Sequence, residues 1–191
     1  MLLALLEKIA LALDEAGIAY MVIGGQAVLL YGEPRLTKDI DITLGASLDR
    51  LPDVLALAEK VALKPLVVPE TFTRQTMVLP CEDPTTGIRV DLVFSFSPYE
   101  RQALERVRRV RMGQTNVRFA SLEDVIIHKV IAGRPRDLED VRAMLLKNPR
   151  ADLLYTRRWL REFSDALSEP FLDRFNEVLK IIRVGASDET R

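Results

Sequence analysis

The sequence predicts an α/β (α+β) fold in which a sheet-bearing core is followed by a helical cap. Three observations carry this expectation. Apolar and polar residues alternate in short runs at 40–44 and, in part, at 88–94, the period of strands. Helical patterns follow Gly25 and Asp49 and interleave with those runs, which is how a layered core is built. From Ser121 onward only helical spacing remains.

The elements follow in order. Leu2, Leu5, Leu6, Ile9 and Leu13 share one helical face, and Glu7, Lys8, Asp14 and Glu15 interrupt the apolar run, so the N-terminal segment reads as an amphipathic helix and not as a signal peptide. Tyr20-Met21-Val22-Ile23 reads as a buried strand that breaks at Gly24-Gly25 and feeds a helix of about two turns at 26–31. Further strands are expected near 39, 66, 75 and 88, and helices at 122–132, 138–146, 153–163 and 171–182. The segment from Pro80 to Gly87 has turn composition. These boundaries give a core at 1–120, a helical subdomain at 121–184 and a disordered tail at 185–191.

The chemistry concentrates at one strand-turn-helix-strand unit. Glycines let a phosphate approach the backbone closely, and a helix start adds partial positive charge, so Gly24 and Gly25 mark an anion site. Asp39 and Asp41 stand two apart on the next strand, so both carboxylates face one side while Ile40, Ile42 and Leu44 face the core. Two adjacent anions call for a cation, and hard Mg²⁺, with Mn²⁺ as a substitute, suits carboxylate and phosphate oxygens. Arg35 flanks the pair, and its planar fork matches phosphate oxygens. Asp91 sits within an apolar strand, where an acid needs a partner: either the same cations or an ion pair with Arg89 or Arg35.

Downstream, Lys129 lies near the end of one helix and Asp137 opens the next, so the corner presents a basic residue and an acid together. Asp137 and Asp140 share a helical face. Asp137 is equally suited to capping its helix. Arg106, Arg108, Arg109 and Arg111 suit either an RNA backbone or a guarded edge strand. Trp159 reads as a helix-packing aromatic.

Gly24-Gly25, Arg35, Asp39-x-Asp41, Asp91, Lys129, Arg134 and Asp137-x-x-Asp140, in this order, resemble the DNA polymerase β-type nucleotidyltransferase superfamily, and within it the AbiEii and MenT type toxin enzymes. The resemblance implies a nucleotidyltransferase core with a mixed β-sheet. It implies a two-metal Mg²⁺ site in which Asp39 and Asp41 hold the nucleotide-side ion and Asp91 completes the second and takes the acceptor proton directly or through water. Gly24, Gly25, Arg35, Lys129, Arg134 and Asp137 are then the nucleotide-binding residues. The implied reaction moves a nucleoside monophosphate from a nucleoside triphosphate to a hydroxyl, with RNA such as a tRNA 3′ end as acceptor and a cognate antitoxin as partner. The alternatives are a protein or small-molecule acceptor, or a nucleotide- or partner-binding module without turnover.

Composition bounds these readings. The chain has 191 residues, 48% hydrophobic and 29% charged, enough for one core with a modest appendage. A formal net charge of −1 argues against a general nucleic-acid coat but leaves room for a local basic patch. Its one histidine excludes a multi-histidine metal site, and its one cysteine, Cys81, excludes an intrachain disulfide and points to a reducing cytoplasm. No stretch is long enough to cross a membrane as a helix.

Overall fold

The structure, a computed structural model, describes residues 1–34, 36–95 and 97–188. Contacts divide the chain into two units, one of Met1–Ala27 with Leu36–Ser121, the other of Val28–Arg35 with Leu122–Arg191.

In the first unit, among the described residues, seven strands form one mixed sheet in the order β3-β4-β5-β2-β1-β7-β6. They are β1 (Tyr20–Ile23), β2 (Ile40–Gly45), β3 (Lys64–Pro65), β4 (Val78–Asp83), β5 (Ile88–Ser95), β6 (Arg108–Met112) and β7 (Thr115–Phe119). The β2–β5 and β1–β7 pairs are parallel and the other pairs antiparallel. The period-2 pattern sets the faces: Ile40, Ile42, Leu44, Val90, Leu92 and Phe94 are all buried. Helix α1 (Leu2–Glu15) buries Leu5, Leu6, Ile9 and Leu13 and packs on β7, and α3 (Leu51–Lys60) packs on α1 and β3. The fold class is the expected one.

Two local expectations give way to other structure, and one helix is additional. The strand expected near 75 is helix α4 (Pro69–Thr76), and β4 begins only at Val78. Pro69 is at the first helical position, and Met77 ends the helix with a left-handed φ of 61°. The turn expected from Pro80 is confined to residues 84–87, because Pro80 through Asp83 continue β4. Pro80 is tolerated because its carbonyl accepts from Leu66 N at 2.9 Å. Its missing N–H therefore also faces the short edge strand β3, and the ladder to β5 loses nothing. Helix α5 (Pro98–Glu105), absent from the expected set, starts with a Ser97–Glu100 capping box and Pro98, a readable signal.

The second unit is helical: α6 (Leu122–Ala132), α7 (Pro135–Lys147), α8 (Leu153–Leu167) and α9 (Phe171–Asp188). Ile126, Ile127, Val130, Val141, Met144, Trp159, Leu160 and Phe175 form its core, so Trp159 is a packing aromatic. The backbone of α9 continues past Gly185, where the tail was expected to begin, to Asp188. Helix α2 (Gly24–Tyr31) ends in this unit. The core expected at 1–120 thus gives up residues 28–35, for reasons visible in their contacts. Asn148 Nδ2 donates to Tyr31 O at 2.9 Å, Lys147 Nζ donates to Gly32 O at 3.0 Å, and Lys147 pairs with Glu33 at 2.9 Å. Among the described residues no helix is long and apolar enough to cross a membrane.

Candidate active site

The turn from β1 into α2 is built on Gly24. Its φ is +63°, a conformation that disfavours other residues, and a Cβ there would lie 1.9 Å from Asp41 Oδ2. The turn's backbone therefore lies directly against the Asp41 carboxylate. Gly25 is buried in the same helix start. Gln26, 6% exposed, donates Nε2 to Asp39 O at 3.4 Å and tethers the approach to β2. Sequence reasoning took Gln26 only as a helix start; a polar residue in an apolar first turn was the available signal. Arg35 lies outside the described residues.

Asp41 and Asp91 are direct partners in the parallel β2–β5 register, which sets both carboxylates on one face of adjacent strands about 4.8 Å apart. Asp39 precedes β2 and is exposed. Among the described residues no group of three carboxylate, histidine or cysteine side chains is drawn close enough to hold a metal. The expected convergence of three acids is thus a cross-strand pair with a third acid beside it. The reason is local: Asp39 stands ahead of the ladder, and Asp91 is engaged by Arg89.

That engagement bears on whether a cation belongs here. Arg89 Nε donates to Asp91 Oδ1 at 2.9 Å, the two side chains being 52% and 21% exposed. The hydrogen bond to Asp91 and the charge of Asp91 raise the Arg89 pKa, with smaller contributions from the charges of Asp39 and Asp41. The field of the three acids therefore already favours positive charge, and the donors are hard oxygens, so a divalent cation such as Mg²⁺ fits this set. On β4, Cys81 is buried and its thiol is pushed up to about 12, by burial first and by the Asp91 charge second.

In the helical unit, Lys129, Asp137 and Asp140 come together as a buried cluster. Lys129 Nζ lies 2.5 Å from Asp137 Oδ1 and 3.0 Å from Asp140 Oδ2, and each residue is less than a tenth exposed. Asp137 Oδ2 is buried without a hydrogen-bond partner. Asp140 is part of the same cluster through Lys129. Arg134 is exposed at the N-cap of α7. The preceding Gly133 has a φ of +62°, and a Cβ there would lie 2.5 Å from the Arg174 guanidinium, which caps α6 by donating to Val130 O at 2.7 Å. A groove of about 350 Å³ between α7 and α9, lined in part by Pro135, Leu138, Val178 and Ile181, contains none of the expected site residues.

Residues 1–169 match a family described as a nucleotidyltransferase of unknown function (DUF6036). No curated protein sequence matches the chain. Among solved structures, it is similar to the antibiotic-resistance factor ANT(2'')-Ia in solution, with a TM-score of 0.62 and 18% identity over 87% of this chain and 94% of that one. The crystal structure of ANT(2'')-Ia with adenylyl-2''-tobramycin gives a TM-score of 0.56 and 18% identity, covering 91% and 98%. JHP933 from Helicobacter pylori gives 0.50 and 15%, covering 98% and 92%. At these identities the likeness extends to the fold.

Proposed function

Because the chain belongs to the nucleotidyltransferase family DUF6036 and is a nucleotidyltransferase, we propose that it transfers a nucleoside monophosphate from a nucleoside triphosphate to an RNA 3′ hydroxyl in a Mg²⁺-dependent reaction. The observation that carries this reading is the meeting of the Gly24 turn with Asp41, itself paired across the sheet with Asp91. A phosphate-binding backbone and a pair of hard-oxygen ligands then share one place.

Each residue has a role in the proposal. The first amides of α2 lack intrahelical acceptors, as at any helix start, and receive the triphosphate. Asp39 and Asp41 would hold the cation on the nucleotide side, and Asp91 would hold the second and accept the proton of the attacking hydroxyl. When bound, the cations neutralise phosphate charge and acidify that hydroxyl. Arg35 and Arg134 are assigned to the nucleotide. Lys129 and Asp137 serve nucleotide binding by bracing the α6–α7 corner from which Arg134 projects. Arg108, Arg109 and Arg111, exposed on the edge strand β6, supply phosphate contacts that support an RNA acceptor. The AbiEii/MenT-like assignment, with a toxin role and a cognate antitoxin, rests on motif order.

The test is incorporation of α-labelled nucleotides with Mg²⁺ into tRNA, total protein, an aminoglycoside and a no-acceptor control. Label should enter tRNA and fall to background in Asp41→Ala. A fully active, folded Asp41→Ala would sink the proposal. Label in another pool would reassign the acceptor, and metal-dependent nucleotide binding without transfer would make the protein a binding module.

A further inference from the structure

The cation that occupies Asp91 in this structure is the protein's own. Arg89 and Asp91 lie two apart on β5, so both side chains leave the same face of the sheet. The register defines what else Arg89 can reach. Across β4 its direct partner is Glu82, whose own partner on β3 is Lys64. Directly opposed side chains in an antiparallel pair have Cβ atoms about 4.5–5.5 Å apart, well within the reach of an arginine. Arg89 therefore stands between two carboxylates on one face: Asp91, to which it donates at 2.9 Å, and Glu82, opposite it on the strand leading away from Asp41.

We propose that Arg89 is an exchangeable counter-ion that controls occupancy of the cation position at Asp91, released to Glu82 when a divalent ion enters. The inference rests on Asp91 being a cation ligand. An Nε–H bond to Oδ1 competes with a metal for that oxygen, and a guanidinium beside the carboxylate repels an incoming dication. Without a second berth the arginine would have to be driven fully into solvent. Glu82 provides that berth without any backbone movement, since the exchange is a rotation of one half-exposed side chain. The empty site is then neutralised by the protein, and the cation displaces a charge already in place.

Mn²⁺ binding, followed by calorimetry and by the electron paramagnetic resonance signal of free Mn²⁺, tests this without turnover. Compared with wild type, Arg89→Gln should bind Mn²⁺ about two- to fivefold more tightly at the Asp91-dependent position, the scale of a partly exposed ion pair. Glu82→Gln should weaken the same position, because Arg89 loses its alternative partner. Asp91→Asn should remove the position, and adding Arg89→Gln to it should change nothing further. Unchanged or weaker binding in Arg89→Gln, with Asp91→Asn still losing its ion, overturns the counter-ion role alone. Full retention of Mn²⁺ binding in Asp91→Asn overturns the assignment of Asp91 as a ligand, and the counter-ion role with it.

Discussion

Replacing Gly24 by alanine should separate two costs that the structure places on one residue. The first is conformational: a non-glycine residue at φ +63° loses about 1–2 kcal/mol. The second is collision. The new Cβ would sit 1.9 Å from Asp41 Oδ2, whereas ordinary contacts begin near 3.4 Å, so the carboxylate must retreat by about 1.5 Å, enough to spoil a reacting geometry in which a 1 Å error costs about 100-fold. Gly87 supplies the control, with a φ of +67° and nothing within 4 Å of its Cβ. Gly87→Ala should lower Tm by about 2–8 °C through backbone strain while leaving nucleotidyl transfer intact. Gly24→Ala should show at least that loss of Tm together with a fall in transfer of about 100-fold or more. Thermal melts and initial rates of label incorporation read both quantities. Equal activity in the two variants would refute the claim that the turn is fitted to Asp41.

Two further outcomes follow from the buried charges and the thiol. Lys129→Met removes the cation that Asp137 and Asp140 share and should cost about 3–5 kcal/mol in urea denaturation, much of it recovered when Asp137→Asn is added; a loss under about 1 kcal/mol would contradict the cluster. Cys81 has a folded pKa raised from 9.0 to about 12. As pH climbs past 9.0 the unfolded chain therefore loses its thiol proton first, and stability falls through that window. Between pH 8 and 10 the wild type should lose about 1.4 kcal/mol more than Cys81→Ala, and equal losses would show that the thiol is not held protonated.

Much of this was legible because local periods carry it. Ile40, Ile42 and Leu44 could only be buried by turning Asp41 to the other side, and Lys129 and Asp137 could only meet if two helices closed at Gly133. What stayed hidden depends on register or on competing local signals. No spacing in the sequence tells that Gly24 lies on Asp41, since that follows from β1 pairing antiparallel with β2 at Ile23 and Asp41. Glu82 becomes relevant to Asp91 only once β4 pairs with β5. The helix at Pro69–Thr76 is short and runs almost directly into β4, and the grouping of residues 28–35 with the helical unit depends on side chains more than a hundred positions away.

The parallel pairing of β2 with β5 also protects the site against its own chemistry. A slip of one residue would turn every side chain of β2 over, sending Asp41 into the apolar layer and Ile40, Ile42 and Leu44 out of it. That alternative costs several buried aliphatic side chains and adds a carboxylate to an apolar interior. Most of the register's preference comes from the aliphatic side chains, and the aspartate adds only the penalty for burying its own charge. The aspartates' alignment is enforced from behind by hydrocarbon, so substitutions that retune the acids leave the ladder in place, and one wrong side chain on the hidden face would misalign the acids without touching them.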